Sequence, residues 1–243
     1  MEVYVGCCGI PGGLEKYSKI LDCVEIQQTF YKLPKLQTAQ KWRKIVPKNF
    51  IFCVKAFRGI THPTNSPTWR RYGEPEGRKE NYGNLQPTKE VFKFWEKTLE
   101  FAKTLGARIV LIQTPASFRD EEKNLKNAEK FFSRARKAKI QIAFEPRKWK
   151  GENVLKICKK FELVHCTDPF ASKPLYFTKQ KIAYLRLHGS PPGKKMYAYK
   201  YTDKDLKELA NFIKNLKVKE TFVFFNNVFM QNDALRFKKY LES

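Results

Sequence analysis

Eight short apolar runs, most of them separated by a longer amphipathic stretch, constrain this chain more than any other feature. They are VYVG (3–6), CVEIQ (23–27), FIFCVK (50–55), RIVLIQ (108–113), IQIAFE (140–145), ELVHCT (162–167), IAYLRLH (182–188) and TFVFFN (221–226). Helical periodicity fills 14–20, 37–45, 88–104, 121–138, 151–160, 203–215 and 231–241. The third long helix is well punctuated: Pro87 and Thr88 open it and Gly106 closes it. Between the sixth and seventh strands no helical pattern is visible. Strands that alternate with helices imply parallel βα units. Eight such units in 243 residues fit a (β/α)8 TIM-type barrel, which takes about 250. A doubly wound open sheet is the competing α/β arrangement, but the glycines of GCCGIPGG miss the GxGxxG spacing. No linker, repeat or low-complexity tract interrupts the chain, so residues 1–243 read as a single domain.

The connections have a direction. Helix-to-strand links are tight, at 106–107 and 217–220, whereas the strand-to-helix links 56–87, 168–181 and 189–202 are long. In a barrel the long links project from the carboxyl-terminal mouth, where function is built. The strands also carry polar groups that a helix-covered parallel sheet would not need. Side chains alternate across a strand. Val24 and Ile26 therefore oppose Glu25 and Gln27, Ile142 and Phe144 oppose Glu145 and Arg147, and Leu185 and Leu187 oppose Arg186 and His188. Lys55, Gln113, Asp168, Asn226 and Asn227 add polar groups at other strand ends. Buried charges are costly unless paired, so this set forms either a self-satisfied polar plug or a site.

Lys and Arg outnumber Asp and Glu by 48 to 24, a net charge of +24. An excess of this size favours a polyanionic partner, DNA or RNA, over an ordinary basic surface. Three of the long loops interleave cations with rings. The first carries Arg58, Trp69, Arg70, Arg71 and Tyr72; the second carries Phe170, Tyr176 and Phe177 among lysines. The third carries Lys194, Lys195, Tyr197, Tyr199 and Lys200. Bases of this kind hold phosphates and rings stack on nucleobases. No apolar run approaches the roughly 18 residues of a membrane span, and the N-terminus lacks a signal-peptide pattern, so a cytoplasmic protein with no membrane partner is expected. None of the six cysteines forms a CxxC pair. They read as buried thiols, with Cys7-Cys8 the one pair that could be redox-active.

Six blocks carry a family resemblance: VEIQQTFYKLP, FIFCVKAFRGITHP, IVLIQTPASF, IAFEPRKW, YLRLHGS and FVFFNN. In this order, across nearly the whole chain, they resemble the YecE-like family, domain of unknown function 72. The resemblance implies a TIM-type barrel like those of endonuclease IV and sugar isomerases, and nucleic-acid binding. Its Glu–x–Asn–x–Thr–Phe–Tyr block falls on Glu25, Gln27, Thr29, Phe30 and Tyr31, with Gln in place of Asn. Its later blocks fall on Lys55, Thr61 and His62; on Glu145, Arg147 and, after a shortened spacer, Trp149; and on Arg186, His188 and Gly189. The usual Gly–Thr–Ser–Gly–Trp block is GCCGI here, without the aromatic.

Glu25, Glu145, Lys55, Asp168 and His188 are the candidate catalytic residues. Gln27, Thr29, Tyr31, His62, Gln113, Arg147, Arg186, Asn226 and Asn227 are candidates for substrate binding. A pair of carboxylates suits acid–base cleavage of a glycosidic bond. An acid must be held neutral, whereas an adjacent arginine favours the charged form, so at most one of Glu25 and Glu145 is the acid. Arg147 and Arg186 suit phosphate; Lys55 suits an imine with an aldehyde. Three histidines are too few for a multinuclear zinc site, so no metal or cofactor is expected, with one Mg²⁺ between Glu145 and Asp168 as the alternative. The expected function is a metal-independent hydrolase or lyase that binds nucleic acid and acts on a flipped base or sugar-phosphate. The alternatives are an enzyme of a small phosphorylated sugar and a non-catalytic nucleic-acid-binding protein.

Overall fold

The computed structural model describes residues 1–70 and 75–242. Its strands are β1 (Glu2–Cys8), β2 (Cys23–Ile26), β3 (Ile51–Lys55), β4 (Ile109–Gln113), β5 (Gln141–Glu145), β6 (Val164–Thr167), β7 (Ile182–Leu187) and β8 (Glu220–Phe225). They close in sequence order into a parallel barrel, β1 pairing with both β2 and β8. Each of the eight apolar runs is a strand, and no helix lies between β6 and β7. The principal helices are α3 (Leu36–Lys44), α6 (Lys89–Leu105), α7 (Glu122–Ala135), α8 (Gly151–Phe161), α9 (Asp203–Lys214) and α10 (Met230–Glu242). Short helices α1 (Leu14–Tyr17), α2 (Gln28–Tyr31), α4 (Arg58–Thr61) and α5 (Pro67–Arg70) stand within connectors. None of the described helices is long and apolar enough to cross a membrane.

Local chemistry sets these boundaries. At the start of α6 the Thr88 hydroxyl accepts from the Val91 amide, and at its end Gly106 turns left-handed at φ 70°. β2 is shorter than its apolar run. Gln27 already has helical backbone angles and opens α2, so it does not share the strand face of Glu25. The 56–87 connector, which reads as a plain loop, is folded over its described residues. The amides of Gly83, Asn84 and Leu85 return to the carbonyls of Gly59, Thr61 and Ile60, and Trp69, Tyr82 and Leu85 are buried.

The chain forms two compact units. One holds Met1–Ile26, Lys44–Phe52 and the chain from Val164 on; the other holds Gln27–Arg43 and Cys53–Leu163. In the first unit β7, β8, β1 and β2 are neighbours in that order. Their register sets Tyr184 opposite Phe222, Arg186 opposite Phe224 and Cys8 opposite Glu25. Rings line the same face: the Tyr184–Phe224 centroids are 4.9 Å apart and Tyr4–Phe222 5.1 Å. Gly6 permits the close approach of β1 to β2, because a Cβ there would sit 2.0 Å from the Cys23 carbonyl oxygen. In the second unit β3, β4 and β5 run side by side, with Lys55 opposite Leu111 and Gln113 opposite Glu145.

Candidate functional site

The first unit buries an ion pair. Glu25, on β2, has 0% of its surface exposed and Arg186, on β7, has 1%. The Arg186 Nη2 donates to Glu25 Oε1 at 3.0 Å, and the Tyr184 hydroxyl donates to Oε2 at 2.7 Å. Both carboxylate oxygens therefore face donors, which is the arrangement that offsets burial of a charge. Arg186 also reaches His188, its Nη1 lying 3.3 Å from Nε2. A guanidinium only donates, so Nε2 is the accepting nitrogen and Nδ1 carries the hydrogen. That Nδ1–H faces the Arg186 carbonyl at 2.9 Å and Asp168 Oδ2 at 3.5 Å. Asp168 accepts the amide of His188 through Oδ2 at 2.7 Å and that of Phe170 through Oδ1 at 3.0 Å. Asp168 thus fixes the turn after β7 and orients His188. The Tyr197 ring lies 5.8 Å from the imidazole.

The second unit gathers cations around His62. Lys55 ends β3, with its Nζ 4.1 Å from the centre of the Phe30 ring. The His62 ring meets the edge of the same Phe30 at 5.0 Å, and its Nδ1 lies 2.8 Å from the Thr61 hydroxyl. Burial, then the charges of Lys55, Arg147 and Arg58, push the His62 pKa down to about 3. Glu145 ends β5 and accepts from Arg147 Nε at 3.2 Å. Gln113, opposite Glu145 in register, spends its amide on the Thr114 carbonyl. Burial and these three nearby cations favour the neutral imidazole.

Several expected ligand contacts are taken up by the fold. Thr29 donates to the Lys55 carbonyl at 2.6 Å and braces the end of β3. Asn227 is buried and donates to Asp233 and to the Tyr199 carbonyl, tying the turn after β8 to the 189–202 connector. The backbone amide of its neighbour Asn226 donates to the Leu187 carbonyl. Trp69 and Arg58 are not an open rim: they are 6% and 2% exposed. The Trp69 indole donates to the His62 carbonyl, and the guanidinium stacks on it at 4.4 Å. Tyr199 donates to Asp205. Arg70, Lys194, Lys195, Tyr197 and Lys200 are exposed, and Tyr31 is half-buried. Arg71 and Tyr72 lie outside the described residues.

Trp149 anchors its loop through a bond to the Phe118 carbonyl. His165, on β6, accepts from the Leu175 amide of the connector that follows. All six cysteines are buried free thiols, and burial pushes Cys7 up to about 12. Burial likewise pushes Cys8 well up, Arg186 opposing and Glu25 reinforcing, so Cys8 is a thiol packed against the ion pair. Among the described residues no cluster of three His, Cys, Asp or Glu side chains stands ready to hold a metal ion. Sequence reasoning missed Tyr184, although its parity with Arg186 and His188 places it on their face.

These features define a parallel (β/α)8 barrel whose strand ends carry ionisable groups in both units. Residues 6–243 match the model of the family described as protein of unknown function DUF72, and the chain belongs to that family. The UPF0759 protein YunF of Bacillus subtilis is 24% identical over 240 residues, spanning 88% of this chain and 80% of YunF. The crystal structure of a DUF72 family protein from Enterococcus faecalis covers 99% of this chain and 96% of its own, at 20% identity and TM-score 0.75. A xylose isomerase domain protein from Planctomyces limnophilus shares the fold at TM-score 0.58 and 11% identity, covering 100% of this chain and 96% of its own.

Proposed function

We propose that this protein binds nucleic acid and, without a metal, acts on a sugar-phosphate held between His62 and the strand ends of the second unit. The observation that carries the reading is geometric: Lys55 and His62 pack on the same Phe30 ring, and Arg147 stands on Glu145 at the end of β5. Lys55 and Arg147 neutralise the phosphate, Arg147 through its planar fork. His62 offers a hydrogen bond to the sugar. Glu145 then takes the Lys55 proton, and the freed amine condenses with an open-chain sugar aldehyde; Glu145 returns that proton to the hydroxyl that leaves as water and is again a carboxylate. Water leaves as the imine forms, and loss of the proton next to it to Glu145 expels the phosphate by β-elimination. The net charge of +24 and the exposed Arg70, Lys194, Lys195 and Lys200 suit a polymeric anion. In the first unit, Glu25 positions Arg186 and Asp168 orients His188; a fully buried Glu25 has no surface to offer a substrate.

The test is a single-stranded oligonucleotide with one abasic deoxyribose, incubated with the protein in excess chelator. Strand scission is expected, with a covalent adduct on adding borohydride, and both disappear in Lys55→Met. An intact oligonucleotide with no adduct overturns the lyase chemistry. A second reading, a small phosphorylated sugar as substrate, gains from the burial of Arg58 and Trp69, which removes two of the expected polymer contacts. It predicts turnover of such a sugar with no salt-dependent affinity for oligonucleotides.

A further inference from the structure

The second unit contains a cleft of about 610 Å³, lined by α2 and the two residues that follow it, by residues within 57–69 and 75–82, and by α6. We propose that this cleft is a nucleotide-binding site in its own right, taking one base and its phosphate from a free nucleotide or a single strand. The volume falls in the range of small-ligand pockets, roughly 300–1,000 Å³. One wall is aromatic: Phe94 stacks on Phe57 at 4.4 Å, and Trp69 and Tyr82 meet edge-on behind them. Phe94 and, from α2, Tyr31 are only half-buried, so both keep ring surface for a base.

The cations are arranged for a phosphate. Lys93 and Lys97 line the cleft and are exposed one turn apart on α6. Like charges at this spacing destabilise a helix, and an anion bound between them relieves that cost. The Lys97 Nζ stands 5.6 Å from the Phe94 ring centre, which sets positive charge beside the stacking surface. Lys32 brings the exposed cations to three against two carboxylates, Glu76 and Glu90. Glu90 already accepts from the Asn81 amide at 2.7 Å. A ring with an attached anion matches this lining better than a neutral aromatic or a bare phosphate.

The site is read out by the quenching of tryptophan fluorescence, since Trp69 lies in its wall, and by amide shifts of α6. Adenosine 5′-monophosphate and a short single-stranded oligodeoxyadenylate are titrated separately at low salt. The test pair is wild type against Lys93→Glu/Lys97→Glu, two exposed positions that the fold does not need. Binding of the monophosphate, weakened roughly tenfold or more in the double variant, supports a free nucleotide as the occupant. Binding of the oligonucleotide alone, with the same loss, supports a strand segment. If neither ligand binds, or if the double variant binds as wild type does, the proposal is overturned. Lys55→Met, which removes the lyase amine, leaves cleft binding intact, so failure of that chemistry and failure of this site are separate results.

Discussion

Acidification from about pH 7.5 to about pH 4.5 puts His62 under load. The unfolded chain binds a proton there as pH falls below about 6.5. The folded chain resists until near pH 3, because burial and the charges of Lys55, Arg147 and Arg58 oppose a fourth cation. Unfolding therefore takes up a proton throughout that window, so acid favours the unfolded chain and stability is lost as pH falls. At about 1.36 kcal/mol per pKa unit, the loss from this one residue is about 2.5 kcal/mol between those two pH values. His62→Gln keeps a polar side chain beside Thr61 and removes the titration. Urea unfolding of both proteins at each pH gives the comparison: the stability gap between them should shift by about 2.5 kcal/mol in the variant's favour on acidification. The imidazole resonances of His62 should hold still down to about pH 4, and inorganic phosphate should raise the point at which they move. A His62 that titrates near 6.5, or a variant with an unchanged pH slope, refutes the cationic pocket.

The buried ion pair predicts a different asymmetry. Glu25→Gln removes the carboxylate facing Arg186 and should cost about 3–5 kcal/mol in denaturant unfolding, whereas the double change Glu25→Leu/Arg186→Met should cost far less. Equal losses would show that the pair carries no mutual compensation. Tyr184→Phe deletes a hydrogen bond to that carboxylate and should cost about 1.5–3 kcal/mol by the same assay; a neutral result would place the hydroxyl elsewhere. Gly6→Ala forces a methyl group against the Cys23 carbonyl and should destabilise by about 1–3 kcal/mol or more, since one of the two backbones must shift. A fully stable alanine variant would mean that β1 and β2 are not this close.

The barrel was legible in the chain because parallel strands need continuous apolar runs, and the exceptions inside those runs marked the polar groups. Glu25, Arg186 and Glu145 stood out because charge in such a strand is conspicuous. Tyr184 did not, because a tyrosine reads as ordinary strand packing until its hydroxyl partner is known. Trp69 and Arg58 misled for the opposite reason. A ring and a cation in a long connector look alike whether they face solvent or fold back, and here the Gly83–Leu85 amides fold the connector onto α4. Thr29 and Asn227, expected at a ligand, also bond to backbone carbonyls of Lys55 and Tyr199. Alternation shows which face a side chain takes, but not whether a neighbouring carbonyl will use it.

Fluorescence anisotropy of a labelled single-stranded oligonucleotide across a salt series tests the central claim, that the cations around His62 hold a sugar-phosphate. Affinity should fall with salt at a log–log slope near −0.7 per phosphate contacted, so two contacts give about −1.4 or steeper. Lys55→Met and Arg147→Met should each flatten the slope by about 0.7. Absence of binding at low salt, or two variants whose slopes match wild type, would contradict it.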